Sequence, residues 1–276
     1  MSTWLVTGAS RGIGLELVRT LLERGENVAA TTRSAERLDQ ALGGSADWPR
    51  LLPLEIDLAD EKQVGEAVAA VTERFGGLDV VVNNAGYGHL GAVEEISDAE
   101  VRKMFDVQVF GVWNVLRAVL PQMRTARAGH IVNVSSIVGL VPFPGWGLYT
   151  AGKFALEGLT DSLAAEVAHL GIRVNLVEPG YVRTDFLRAG SLALPQAPVE
   201  GYEAVREMIA QHQAMPGTQL GDPVKVAAAI VEVVERGDAP LHQLLGSDSY
   251  ALAGGRLDTL RAEVEAGKAL ALTTDV

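Results

Sequence analysis

Short apolar runs alternate along the chain with longer stretches whose apolar residues recur every three or four positions. The runs at 4–7, 27–32, 51–56, 79–82, 131–134, 172–177 and 241–245 read as strands, and that at 79–82 is apolar nearly throughout, as parallel strands covered on both faces are. The stretches at 12–24, 34–42, 60–75, 98–124 and 149–169 have helical spacing, with Ile13, Leu17, Leu21 and Leu22 on one face of the first and Val64, Ala67, Val68 and Val71 on one face of the third. Local signals mark their ends. Gly25 is a stop, Ser34 a cap, and Ser97 with Glu100 a capping box. Pro121 is expected to bend or end the long helix that contains it. Strands separated by helices imply right-handed crossovers, and so an α/β, Rossmann-type doubly wound parallel sheet in one domain over 1–276. Residues 186–221 break the pattern, with Pro195, Pro198, Pro216 and one amphipathic stretch at 202–211. An excursion of that length in a compact domain reads as a lid over a binding site. The acidic tail at 254–276 reads as helical.

Composition narrows the function. Apolar residues make up 48% of 276, enough for a sizeable core. The absence of cysteine excludes disulfides, cysteine nucleophiles and thiolate metal sites. A net charge of −12 argues against nucleic acid as a partner. No run is apolar enough to span a membrane and no cleavable leader is evident, so no membrane partner and a cytoplasmic location are expected. No His, Asp or Glu group has metal-ligand spacing, so no metal is expected. His89 reads as a loop histidine.

The candidate chemistry lies at two ends of the sheet's C-terminal edge. Gly8, Ser10, Arg11, Gly12, Ile13 and Gly14 join the first strand to the first helix. Glycines there let a pyrophosphate approach the backbone at the positive end of a helix. Sites for NAD place an acid at the tip of the second strand, and sites for NADP a cation. Here the tip is the neutral Thr32, followed by Arg33, and Arg11 lies in the glycine turn. Two guanidiniums can clamp a 2′-phosphate, which points to NADP.

At the other end, Tyr149 and Lys153 stand four residues apart and share one helix face. A nearby ammonium is expected to lower the phenol's pKa and fit it for proton exchange. Ser136, 13 residues earlier and at the end of a strand, can hold the oxygen of a carbonyl that Tyr149 protonates.

Together with Asp57, the run Asn83-Asn84-Ala85-Gly86 and Pro179-Gly180, these motifs resemble the short-chain dehydrogenase/reductase family of single-domain type, and loosely its hydroxysteroid- and retinol-dehydrogenase-like reductases. The resemblance runs from Trp4 to Leu245. It implies that Asp57 and Leu58 hold the adenine, and that Asn83, Ala85 and Gly86 line the adenosine ribose and support the central strand. It gives Lys153 the nicotinamide ribose, and Val182 and Thr184 the carboxamide end. Family members often form homodimers or homotetramers through the long helix, which here carries Val101, Met104, Phe105, Val112 and Trp113. One departure stands out: Gln108 occupies the place of the family's usual catalytic asparagine. Asn114, about 240° further around the helix, is not expected to replace it. The apolar loop at 140–146 suggests an apolar carbonyl or alcohol substrate. The expected activity is NADP-dependent interconversion of a carbonyl and an alcohol. A non-catalytic NADP(H)-binding sensor is the alternative, and sugar-nucleotide epimerisation or dehydration fits the short C-terminal part less well.

Overall fold

The computed structural model describes residues 1–44 and 48–276. Its strands are β1 (Thr3–Val6), β2 (Asn27–Thr32), β3 (Leu51–Glu55), β4 (Val80–Asn83), β5 (Gly88–His89), β6 (Gly129–Val134), β7 (Ile172–Pro179), β8 (Leu192–Ala193) and β9 (His242–Leu245). The helices are α1 (Gly12–Glu23), α2 (Ala35–Leu42), α3 (Glu61–Phe75), α4 (Asp98–Phe105), α5 (Gly111–Ala126), α6 (Gly147–Val167), α7 (Glu203–Ala214), α8 (Pro223–Glu235) and α9 (Ser247–Ala271). Seven strands form one parallel sheet in the order β3-β2-β1-β4-β6-β7-β9. The order reverses between β1 and β4, and ligands bind outside the carboxyl ends of the strands at such a switch point.

Alternation along each strand divides the core into two layers. Trp4, Val6, Val28, Ala30, Val80 and Val82 meet α1, α2 and α8 on one face. Leu5, Ala29, Val81 and Ile131 meet α3, α5 and α6 on the other. A third apolar cluster gathers at the C-terminal edge around Leu90, Ile137, Trp146, Tyr149, Leu187 and Ile209.

The local signals act as read from the sequence, with exceptions. Ser34 accepts from the Arg37 N–H, Ser97 and Glu100 cap each other, and Gly25 turns with φ +77°. The helix through Pro121 does not end there but runs on to Ala126. Pro121 lies on the exposed side, where solvent can serve the carbonyl that its missing N–H leaves free. The irregularity sits earlier, as a π-helical turn over Asp106–Phe110 between α4 and α5. Helix α8 went unread, although Asp222 caps it and Pro223 opens it. The excursion at 186–221 contains α7 and the short strand β8, which pairs in parallel with β5. The tail belongs to α9, which begins at Ser247 and is exposed beyond Leu257. On the long helix, Met104 and Val112 are buried, whereas Val101, Phe110 and Trp113 are exposed. No helix among the described residues is long and apolar enough to cross a membrane.

A buried polar chain crosses the middle of the sheet. Asn83 donates to Asn133 at 2.8 Å, Asn133 to Thr160 at 2.8 Å, and Thr160 to the Leu156 carbonyl. It fixes β4 and β6 against α6, the helix that carries Tyr149. Asn133→Leu orphans the Asn83 amide in a dry site and leaves Thr160 only its bond to Leu156, so it is expected to cost about 1–3 kcal/mol, the penalty of one unsatisfied group. Denaturant unfolding checks this; a loss below 1 kcal/mol, the order of one ordinary hydrogen bond, would mean the chain is not structural.

Candidate active site

One continuous cleft of about 1160 Å³ runs along the C-terminal edge of the sheet. Its walls include Gly8, Ser10, Arg11, Gly12, Ile13, Arg33, Asp57, Leu58, Ala85, Gly86, Ser136, Tyr149, Lys153, Pro179, Gly180, Val182 and Thr184, so these residues named from sequence come together. Three others do not reach its surface. Gly14 packs behind the turn, where a Cβ would meet the Gly8 carbonyl and the Asn84 amide. Asn83 points into the polar chain, and it is Asn84 that lines the cleft and donates to the Thr7 and Gly8 carbonyls. Gln108 is 1% exposed and lies beneath the floor. Gly8 itself cannot be larger: φ is +68°, and a Cβ would lie 2.7 Å from Ala85 Cα.

The end beyond β2 is cationic. Arg11, Arg33 and Arg37 all line it, with Ser34 between them. Burial and then the neighbouring Arg33 and Arg37 charges pull the Arg11 guanidinium below its usual range, while Asp185 offsets part of this. Glu36, Asp57 and Asp185 line the same cleft, yet the Arg33 and Arg37 charges press on Arg11 more than Asp185 relieves it, and such a cluster of guanidiniums can seat an anion. Arg37 was not read from the sequence, though it stands one turn beyond Arg33 on the helix that Ser34 caps. Arg11 also donates to the Gly190 carbonyl, joining this end to the lid. Next along the cleft, Asp57 turns its own backbone by accepting from the Ala59 N–H, and the Leu58 carbonyl is held by Asn114 at 2.8 Å. Asn114 therefore serves the Asp57-Leu58 turn.

The opposite end holds Tyr149, on the first turn of α6 and 6% exposed. Trp146 and Phe186 flank its ring, each with a centroid separation of 5.5 Å. The sequence suggested that Lys153 lowers the phenol's pKa. In the folded chain burial is the larger effect and pushes the phenol well up, with a hydrogen bond to Ser136 pulling the other way. The Lys153 ammonium lies 5.7 Å from the Tyr149 ring centre and donates to the Val134 carbonyl at 2.8 Å. Burial brings Lys153 down to about 8, against an upward pull from Glu157. Gln108, in the π turn, donates to the Tyr87 carbonyl at 2.7 Å, while its buried Oε1 has no partner. Ser136 also accepts from the Val138 N–H at the strand end. His89 is a buried strand residue, 1% exposed, bonded to Glu100.

Behind Lys153 lies a group invisible to sequence spacing, because its members come from three elements. Glu157 of α6, Glu178 of β7 and His242 of β9 bring ligand-type atoms within 4.8 Å of one another. His242 Nδ1 is 2.7 Å from Glu178 Oε1, the length of a charge-assisted hydrogen bond, and Nε2 is 2.9 Å from Asp161.

The residues of the cleft fit a nicotinamide dinucleotide: a glycine turn at a helix start, a cationic end for a phosphate, and a buried phenol–hydroxyl–ammonium group. The comparisons agree. The family model for short chain dehydrogenases matches residues 2–192. The chain belongs to the short-chain dehydrogenase family. It is 36% identical to the oxidoreductase BOA17 of Botryotinia fuckeliana over 272 residues, covering 98% of each chain. A solved short-chain dehydrogenase from Streptomyces avermitilis superposes with a TM-score of 0.90 at 37% identity, covering 100% of this chain and 98% of that one. ElxO with NADP bound (TM-score 0.71, 28% identity, 88% and 96% covered) and a 3-ketoacyl-(acyl-carrier-protein) reductase from Brucella melitensis complexed with NADH (0.73, 25%, 88% and 96%) share the fold. This short-chain dehydrogenase is thus an oxidoreductase of the CH–OH/C=O type that works with a nicotinamide cofactor.

The acidic group behind Lys153 makes stability depend on pH. Burial raises the Glu157 carboxyl from 4.5 to about 8, and the facing carboxylates raise His242 above 6.5. Both groups bind protons more tightly folded than unfolded, so stability is full below the unfolded values and falls as pH rises through the folded ones. The thermal midpoint is expected to drop between pH 5 and pH 9, and Glu157→Gln to flatten that drop. An unchanged slope in the variant would contradict this assignment.

Proposed function

We propose that the protein is an NADP-dependent oxidoreductase that interconverts an apolar ketone or aldehyde and its alcohol, with Tyr149 as proton donor and acceptor. The observation that carries this reading is a single cleft joining three clustered arginines at one end to a buried Tyr149–Ser136 pair at the other. The cofactor supplies the hydride. Arg11, Arg33 and Arg37 would take a 2′-phosphate, Asp57 and Leu58 the adenine, and Lys153 the nicotinamide ribose. Pro179, Gly180, Val182 and Thr184 would border the carboxamide. Ser136 would hold the substrate oxygen. In reduction the carbonyl carbon gains the hydride, and the oxygen gains the Tyr149 proton. The Lys153 charge then stabilises the phenolate that remains.

An apolar substrate is supported by the walls around Tyr149, where Tyr87, Val138, Trp146, Phe186 and Leu187 face the cleft. Gln108 would support the proton path from the π turn, its unpartnered Oε1 free to accept from a bridging water.

Initial rates of NADPH and NADH oxidation over a panel of apolar ketones and aldehydes test the reading. NADPH is expected to be preferred, Tyr149→Phe to lose about 10²–10⁴-fold of the rate, and Arg33→Asp to cut the NADPH preference by about tenfold or more. Gln108→Asn should change turnover by less than about twofold if the relay needs only an amide. Preference for NADH would refute the cofactor assignment. Tight NADPH binding without turnover would favour a sensor, with Gln108 as the altered residue.

A further inference from the structure

The lid meets the site through one histidine. His212, on the last turn of α7, is 2% exposed and does not line the cleft. Its Nδ1 lies 2.8 Å from the Met208 carbonyl, which can only accept, so Nδ1 carries the proton. Nε2 then offers a lone pair in the neutral ring. Two donors converge on it: the Trp146 indole N–H at 3.3 Å and the Tyr181 hydroxyl at 2.9 Å. An indole N–H has no acceptor capacity, so this arrangement requires a bare Nε2. Burial acts in the same sense, pulling the imidazole below its usual pKa.

The three residues come from three segments. Trp146 closes the loop between Ser136 and Tyr149 and stacks on the catalytic ring. Tyr181 follows Pro179-Gly180 on the turn that borders the nicotinamide end. His212 packs edge-on to Trp146 at 5.1 Å and beside Tyr181 at 5.6 Å. The far end of α7 is held separately, where Arg206 pairs with the buried Glu95, which also accepts from the Val199 N–H at 2.8 Å. The Glu95 contact anchors the outer end of the lid. The His212 contact fixes the end that faces substrate.

We propose that His212 is a positioning residue that latches the lid to the substrate loop and the cofactor turn, and so shapes the pocket around a bulky apolar substrate. It touches neither substrate nor cofactor. It acts through Trp146 and Tyr181, whose rings form the wall beside Tyr149. For its kinetic arm the inference rests on the reductase reading above.

The test compares His212→Leu with His212→Gln. Leucine fills the space but orphans two buried donors, whereas the glutamine carbonyl can accept from both. For the best carbonyl in the panel, His212→Leu is expected to raise KM about tenfold or more, as the loss of two buried acceptor contacts implies. Its kcat should change by less than about threefold and NADPH binding should be unaltered. His212→Gln should recover most of the KM. Trp146→Phe should remove about half of the difference between the two variants, because one of the two donors is then gone. A second readout needs no turnover. Tryptic cleavage after the exposed Arg188, in the lid, should accelerate about threefold or more in His212→Leu and return towards the wild-type rate in His212→Gln. Equal KM and equal cleavage in wild type and His212→Leu would overturn the latch. So would a His212→Gln variant that behaves as His212→Leu does. If the wild-type protein reduces no carbonyl, the reductase reading fails on its own, and the cleavage rates alone decide the latch.

Discussion

A buried ammonium is the constraint on which the rest of the site depends. Lys153 is 4% exposed, and a charge in that position survives only with acceptors and nearby negative potential. The Val134 carbonyl supplies the acceptor, and Glu157, one turn along α6, adds negative potential only as it ionises near pH 8. Both depend on α6 lying hard against the end of β6, which the Asn83–Asn133–Thr160 chain fixes. The fold thus holds the charge one helical turn from the phenol, while Trp146 and Phe186 keep the phenol dry. Burial outweighs the Ser136 hydrogen bond and the phenol stays protonated. That is the state a proton donor needs.

The two ends of the cleft use opposite physics. Around the arginines, clustered positive charge lies near solvent. Around Tyr149, aromatic rings exclude water and strengthen each polar contact inside. The lid reaches both, through the Arg11–Gly190 contact at one end and Trp146 with His212 at the other.

Much of this was legible in the sequence because it is local. Strand runs, the Ser34 cap, the Ser97–Glu100 box and the glycine turn each announce themselves within a few residues, while cleft-lining positions such as Asp57, Leu58, Ala85, Gly86, Val182 and Thr184 came only from the family resemblance. What escaped is what the fold assembles from distant segments. Asn83 and Asn84 are adjacent and chemically alike, and only the strand's alternation decides which faces the cleft. The acidic group joins residues 157, 178 and 242, and the histidine latch joins 146, 181 and 212. The pull of Lys153 on Tyr149 was overestimated from spacing alone, because spacing says nothing of desolvation. Helix α8, by contrast, carried a readable start in Asp222-Pro223.

The central claim is that a charged, buried Lys153 sustains proton transfer by Tyr149. Its most direct test is the pH dependence of kcat/KM for carbonyl reduction between pH 6 and pH 10. Burial sets the Lys153 pKa at about 8, so the ammonium is present below that value and lost above it. The rate is expected to fall as pH rises through about 8, as the phenol loses the charge that stabilises its conjugate base. A rate that stays flat to pH 10 would contradict the account.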